Sequence, residues 1–362
     1  MEIISQSKTV SHDLLSTEDV KNEVEWVNTN LKSPFEFKIG KPTKLGIFLT
    51  RNNRQESWQL KPERGHGRTA KIGEVIFQDT QGRLYRDIDI KGVGQAEYLG
   101  KVKGVEGIIT YPTASGIMDG EVPGLLNFSS ALHDAQMAEI LTKLGVRTHR
   151  AIAIIALAEI VNPTSGEKMS VEQAKNRDSI VRSFVPVIEV RAFGTKVRVQ
   201  DINSSTNNDE KRRWIEDAKK LIAREGGQDE EMTDFDYLKW VAKTITKDIG
   251  TMHKNGWLHN YLRTGHNITI DGRLVDLDSV RNIQEESNKR DDAEQTRRDL
   301  SLDRFAQEFM NVRIAFQNLL FDAVFQAMST NERKSILSDF NKSYATEYPD
   351  AWERAANSYY VS

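Results

Sequence analysis

The densest group of polar side chains lies in residues 257–280, WLHNYLRTGHNITIDGRLVDLDSV, called the polar segment below. His259 opens a loop that ends at Asn267. The following Asp271-Gly272 dipeptide predicts a two-residue hairpin turn between two short strands, ITI and RLV. Such a hairpin would bring Asn267 and Asp276 to the same end of two paired strands. Amide and carboxylate oxygens are the hard ligands that Mg²⁺ prefers, so the spacing predicts a metal site that could hold phosphates. A plain hairpin with solvated aspartates is the alternative.

A second candidate is the lysine in Asp-Ile-Lys91-Gly-Val-Gly, which stands in strand alternation. A lysine that faces the interior needs an acidic or phosphate partner, because a buried unpaired ammonium is costly. The helix predicted over residues 129–144 offers Asp134 and Glu139 as partners. An ordinary surface lysine is the alternative.

Two arginines could also face an anion. Arg182 and Arg191 flank the apolar run SFVPVIEV, and the planar donors of a guanidinium match two phosphate oxygens. Both could equally be ordinary surface arginines. Upstream, residues 65–68 read Gly-His-Gly-Arg and resemble a glycine-rich loop, a pattern that is weak evidence by itself.

The elements that must position these residues differ between the two halves of the chain. Up to about residue 200, β-branched runs with glycines between them predict strands, and the alternation in residues 83–92 is typical of a half-buried strand. The predicted elements are strands at 71–77, 83–92 and 179–190 with a turn at 80–83, a helix at 129–144 ended by Gly145, and a buried strand at 150–161.

From about residue 205 the pattern becomes helical. Capping boxes start at Thr233 and Ser329, and apolar residues follow at helical spacing. The predicted helices cover 232–253, 302–328 and a stretch after Ser329, while 204–213 is predicted as a solvated connection and 283–300 as a charged loop or exposed helix. We therefore expect a β-rich lobe over residues 1–203 and a helical lobe over 204–362.

Composition narrows the class of protein. The 362 residues carry 50 Lys and Arg against 53 Asp and Glu, a balance that argues against a nucleic-acid-coating protein. The absence of cysteine excludes disulfides and thiolate chemistry. Without an apolar stretch long enough for a bilayer or a secretory signal, we expect a cytoplasmic protein that contacts neither membrane nor nucleic acid. Oligomeric state is not predicted.

A series of motifs in the same order resembles the selenoprotein O family of kinase-fold protein adenylyltransferases, and the motifs cover about residues 60–280. Gly65-His-Gly-Arg-Thr69 is similar to the family's GDGRA, Ile72-Gly-Glu74 to its LGE, and Ile88-Asp-Ile-Lys-Gly-Val-Gly94 to its LQLKGAG. Residues 133–152 are similar to the family's SEAMxxLGxPTTRAL, Arg182 to Thr195 to its RVAPSHxRxGSF, and His259 to Ser279 to its HGxxxxDN…IDYGP. The chain lacks the family's cysteine near the C-terminus and a second GDGR-like segment, so it resembles a divergent, shortened member.

The resemblance implies an α+β, protein-kinase-like two-lobed fold that binds ATP with Mg²⁺ or Mn²⁺ and transfers AMP. Residue by residue it implies a phosphate-gripping Lys91 beside Gly92 and Gly94, Asp134 in place of the helix glutamate with Glu139 as fallback, terminal-phosphate contacts from Arg182 and Arg191, and metal ligands Asn267 and Asp276. His266 stands where the family has an aspartate that assists the attacking hydroxyl, and a histidine can also act as a base near neutral pH.

Three functions follow from these patterns. The first is a metal-dependent adenylyltransferase that moves AMP from ATP to a hydroxyl of a protein or smaller acceptor. The second is a kinase that passes the γ-phosphate of ATP to a small molecule or peptide. The third is a non-catalytic, ATP-binding pseudokinase, which the replacement at His266 motivates. The identity of the transferred group separates the first two.

Overall fold

The computed structural model describes residues 15–50, 59–60, 68–94, 124–161, 167–177, 184–227, 232–283 and 294–359. Arg182, the glycine-rich residues 65–67 and parts of the segments predicted at 179–190 and 283–300 lie outside this range. The described chain is mixed α+β. None of its helices combines the length and apolar character that a membrane span requires.

The strands are short in most places and longest where the sequence is richest in β-branched residues. They are β1 (Leu15–Asp19), β2 (Asn22–Val27), β3 (Ile47–Thr50), β4 (Gln59–Leu60), β5 (Thr69–Gln78), β6 (Leu84–Lys91), β7 (Leu126–Asn127), β8 (Arg150–Leu157), β9 (Glu159–Val161), β10 (Lys168–Ser170), β11 (Pro186–Phe193), β12 (Trp257–Leu258) and β13 (Arg281–Asn282).

Most of the helices follow β11 in the chain. They are α1 (Phe128–Lys143), α2 (Val171–Arg177), α3 (Val199–Ser204), α4 (Asn208–Glu225), α5 (Asp234–Lys254), α6 (Glu294–Leu320), α7 (Thr330–Glu347) and α8 (Pro349–Tyr359). The predicted caps are confirmed, since Thr233 accepts a hydrogen bond from the backbone of Asp236 and Ser329 forms a capping box with Glu332.

The chain divides into two compact units. The first comprises the described residues up to Gln81 together with Tyr85–Ala135 and Arg150–Phe193. Its main sheet has the strand order β2-β8-β11-β6-β5, with β7 beside β11, and β11 is antiparallel to both β6 and β8. Because β8 and β11 carry mostly β-branched and small residues, they are buried along almost their whole length.

The second unit comprises Gly82–Leu84, Gln136–His149 and the chain from Gly194 onward. Its core is built from α5, α6 and α7 and includes the predicted apolar face of α6. That face consists of Phe305, Phe309, Val312, Phe316, Leu319 and Leu320, all buried. The boundary at Gly194 precedes the one expected at residue 204, and Gln136–His149 joins this unit because Met137, Ala138 and Leu141 of α1 lie in its core.

Three sequence predictions need correction. Residues 204–213 are not a solvated connection, because α4 begins at Asn208 and Lys211 is buried in an ion pair with Asp322 at 2.7 Å. The helix expected over 302–328 covers Glu294–Leu320 instead. Strand β6 is almost fully buried rather than half-buried, because its charged face is covered as well as its apolar face.

Candidate functional site

The polar segment folds into a hairpin that brings its two predicted metal ligands together. The backbone N–H of Thr269 donates to Arg273 O at 2.9 Å, and that of Val275 donates to Asn267 O at 3.0 Å. Asn267 and Asp276 are therefore adjacent at one end of the hairpin, as predicted from the Asp-Gly turn. At the ends of the segment, β12 pairs with β13 and closes it into a loop.

Backbone strain is concentrated in this segment. In the part of the chain that the structure describes, three non-glycine residues have positive φ: Asn260 at 73°, Thr264 at 61° and Asp276 at 63°. All three belong to the polar segment. Left-handed conformations of this kind are costly for residues with a Cβ and cluster at functional sites. The unfavourable backbone conformations of the described residues therefore lie in the segment for which the sequence predicted a metal site.

Asn267 is buried, and its amide is held in place. Arg198 Nη1 donates to Asn267 Oδ1 at 3.2 Å, which fixes the carbonyl end of the amide. Arg198 is itself buried at the start of α3, where its backbone N–H donates to Asp201 Oδ2 at 2.7 Å. An arginine beside a candidate metal ligand is a suitable phosphate contact.

Asp276 and Asp278 offer a pair of carboxylates. Both side chains are partly exposed, whereas Leu277 between them is fully buried. Their carboxylate oxygens lie within 4.8 Å of one another, a spacing that one cation can bridge. Asp278 was not among the predicted ligands, although its place two residues after Asp276 was visible in the sequence.

His266 precedes Asn267 and contacts α3. Its Nδ1 forms a short hydrogen bond with the side-chain amide of Gln200, which holds the imidazole against α3. Burial and the charge of Arg198 lower the pKa of His266, while Asp276 opposes them.

A buried carboxylate anchors the start of the polar segment. Glu308 on α6 accepts the backbone N–H of His259 at 2.9 Å and that of Asn260 at 2.7 Å, and it contacts His253 Nε2 at 3.2 Å. Although burial opposes its ionisation, these hydrogen bonds and the nearby histidines hold the pKa of Glu308 below its usual range. The loop is therefore tied to the helical core through charge-assisted bonds.

His259 connects the two ends of the polar segment. Its Nε2 lies 3.0 Å from Val275 O, and Ser279 Oγ donates to His259 O at 2.7 Å. The imidazole is fully buried, so these contacts are shielded from water. His259 thus positions the backbone immediately before Asp276.

In the first unit, Lys91 is buried at the end of β6 as predicted, and Glu189 stands directly opposite it on β11. Side chains that are paired in this way across antiparallel strands share one face of the sheet. Asp134 on α1 belongs to the same unit and is fully buried, whereas the fallback Glu139 belongs to the second unit. The sequence reasoning considered helix carboxylates and missed the one on the neighbouring strand.

Arg191 is committed to a protein carboxylate. It pairs with Asp89 across the same two strands, with Nε donating to Oδ1 at 3.0 Å and Nη2 donating to Oδ2 at 2.8 Å. Both side chains are almost completely buried. The guanidinium fork that was predicted to hold a phosphate is thus used within the sheet.

Gly92 and Gly94 have clear backbone roles. Both have positive φ, and a Cβ on Gly92 would lie 2.3 Å from Val187 O. The N–H of Gly92 donates to Arg68 O at 2.8 Å, and that of Gly94 donates to Gly124 O at 3.0 Å. These glycines allow a close approach of backbone strands, and their predicted contact with a nucleotide stays a prediction.

Three residues that organise these regions were not predicted, although each left a signal in the sequence. Glu189 is the one acidic residue in the apolar run PVIEV, and Arg198 lies between two valines. Glu308 follows Phe305 by three residues and so shares its apolar helix face. A charge at a position whose neighbours demand burial indicates a buried partner.

The chain matches no protein-family model, and no curated protein matches it either.

Proposed function

We propose that this protein is a metal-dependent nucleotidyltransferase with a protein-kinase-like two-lobed fold, a divergent relative of the selenoprotein O family that transfers AMP from ATP to a hydroxyl group. The observation that carries the proposal is the hairpin that places Asn267 beside Asp276 in a strained backbone. The order of the sequence motifs supports the choice of AMP as the transferred group.

The donor set of the polar segment fits Mg²⁺ or Mn²⁺. Asn267 supplies an amide oxygen with two lone pairs, of which Arg198 uses one. Asp276 and Asp278 add partly exposed carboxylates, and all of these are hard oxygen ligands. A bound cation would neutralise negative charge on the phosphates.

The remaining side chains of the segment have separate roles in this proposal. Arg198 holds a phosphate oxygen near Asn267, and the imidazole of His266 accepts the proton of the attacking hydroxyl. The hydroxyl oxygen forms a bond to the α-phosphorus, the bond from that phosphorus to the bridging oxygen breaks, and pyrophosphate leaves. Catalysis then depends on positioning and charge stabilisation rather than on a covalent enzyme intermediate.

A kinase is the second candidate, because the same ligands can present a γ-phosphate as well as an α-phosphate. An ATP-binding pseudokinase is the third, and the histidine at position 266 favours it. All three bind the nucleotide at the polar segment, so the fate of each phosphate decides among them.

The deciding experiment uses the full chain with Mg²⁺ or Mn²⁺, cell lysate as acceptor source, and ATP labelled in parallel at the α- or the γ-phosphate. We expect transfer of the α-label alone and its loss on adding EDTA. Transfer of the γ-label alone would make the protein a kinase. Thermal stabilisation by ATP without transfer of either label would indicate the pseudokinase.

Single substitutions test whether the transfer activity depends on the polar segment. Asp276→Asn keeps a residue that tolerates a left-handed backbone, and we expect it to lower the transfer rate by about 10²-fold or more. Asp303→Asn is the matched control, because Asp303 is an exposed residue of α6. Equal transfer rates in wild type and Asp276→Asn would refute the assignment of the site.

A further inference from the structure

Glu189 is a buried carboxylate that the proposed chemistry does not use. It lies in the middle of β11, whose eight residues are all buried, and its own exposure is 0%. Neither Oε1 nor Oε2 accepts a hydrogen bond from an N–H group or a hydroxyl of any residue that the structure describes. Buried polar atoms in this condition are rare and costly, so the position calls for a ligand.

The side chain that faces Glu189 is another acid. Helix α1 approaches the sheet through small residues, since Ala131 and Ala135 pack against Val187 and its neighbours in one apolar cluster. This close approach brings Asp134, also at 0% exposure, to the same face. The carboxylate oxygens of Asp134 and Glu189 lie within 4.8 Å of one another.

The two buried cations on β6 and β11, Lys91 and Arg191, do not supply hydrogen bonds to the Glu189 carboxylate. Arg191 is bound at both ends of its fork to Asp89. Lys91 stands opposite Glu189 and attracts it, yet neither oxygen of Glu189 accepts a hydrogen bond from the Lys91 ammonium. Burial, the charge of Asp134 and a hydrogen bond with the Asp134 carboxyl group raise the pKa of Glu189 well above its usual range, against the opposing effects of Arg191 and Lys91.

We propose that Asp134 and Glu189 bind a divalent cation, Mg²⁺ or Mn²⁺, in a site inside the first unit. Metal–oxygen bonds of about 2.0–2.6 Å can bridge two carboxylates at this separation, and both ions take such hard ligands. The cation would satisfy the oxygens of Glu189 and fasten α1 to β11. The test of this site measures metal binding, so the proposal does not depend on the proposed transfer activity.

The test measures Mn²⁺ binding to the full chain by electron paramagnetic resonance. The background carries Asn267→Ala, Asp276→Asn and Asp278→Asn, which together remove the candidate ligands of the polar segment. We expect one Mn²⁺ to remain bound. Adding Glu189→Gln should weaken its affinity by at least about tenfold, as expected for loss of a group that holds a metal. Glu74→Gln, the same change at an exposed position of β5, should leave it unaltered.

A proton shared between the two carboxyl groups is the competing explanation. In that case no Mn²⁺ binds in the background variant, or it binds equally well after Glu189→Gln, and either result overturns the proposal. Asp134→Asn decides the matter if circular dichroism shows that the Glu189 variant fails to fold. Because the experiment measures Mn²⁺ binding and not AMP transfer, its outcome is independent of the proposed function. The cation site can be present if the protein transfers no AMP, and it can be absent if the protein does transfer AMP.

Discussion

Two groups of charged residues in this protein are built on opposite plans. The charged ladder, Asp89 and Lys91 on β6 facing Arg191 and Glu189 on β11, lies on regular strands and is almost fully buried. The polar segment has its carboxylates partly exposed and its backbone bent through three left-handed residues. On the regular strands Asp89 is paired with Arg191 across the sheet and shielded from water, whereas the irregular loop leaves its carboxylate oxygens partly exposed to solvent.

The difference separates charges that stabilise a fold from charges that can do chemistry. A buried pair such as Asp89 with Arg191 is costly to break, because the partner that remains is stranded away from water. In the polar segment, by contrast, Glu308 accepts hydrogen bonds from the backbone N–H groups of His259 and Asn260. This anchor keeps the start of the loop in place while its other end has a strained backbone and partly exposed carboxylates. Mutations should therefore cost stability in the ladder and mainly activity in the loop.

The largest effect is expected from breaking the ladder. Asp89→Ala leaves the Arg191 guanidinium buried without its bidentate partner, and we expect the free energy of unfolding to fall by about 3–5 kcal/mol. Urea denaturation followed by circular dichroism measures the change. Replacing both partners, by Asp89→Leu with Arg191→Met, should recover most of the loss, since no unpaired charge then remains.

The control for this experiment is the exposed ion pair between Arg354 and Asp303. Asp303→Ala should change stability little, because exposed pairs are screened by water. If Asp89→Ala were as mild as Asp303→Ala, the contrast between the ladder and the surface would be lost.

A smaller effect is expected at the anchor of the polar segment. Glu308→Gln keeps the shape of the side chain but removes the charge that binds two backbone N–H groups and His253, and we expect a loss of about 2 kcal/mol at pH 7. The folded pKa of Glu308 lies below its usual value, so its stabilising contribution is present above about pH 4.5 and disappears as the pH falls through the folded pKa.

The sign of this contribution is checked by measuring the free energy of unfolding of wild type and of Glu308→Gln as a function of pH. The difference in stability between wild type and Glu308→Gln should be largest near neutral pH. It should shrink below about pH 4.5 and disappear as the pH falls through the lowered pKa of Glu308 in the folded protein. A gap that widened on acidification would mean that the carboxylate destabilises the fold.

The sequence was most informative where local chemistry decides the structure. The caps at Thr233 and Ser329 and the apolar face of α6 follow from short-range rules and are confirmed. The Asp-Gly hairpin also forms, but its loop consists of three residues, 270–272, instead of the predicted two, because Thr269 pairs with Arg273. The link between Lys91 and Glu189 joins residues far apart in the chain, so no local pattern could reveal it. The prediction for residues 204–213 was wrong because a run of charged residues conceals the start of a helix whose apolar residues begin only at Trp214.

The smallest effect tests whether the strain at Asp276 is real. Asparagine tolerates the left-handed region and alanine does not, so Asp276→Ala should be less stable than Asp276→Asn by about 1 kcal/mol. The same pair of changes at Asp278, which has no positive φ, should differ by less. Thermal unfolding of the four variants measures both differences. Equal differences at the two positions would mean that the loop carries no special strain, and its distinction from the regular strands of the ladder would then rest on the exposure of its carboxylates alone.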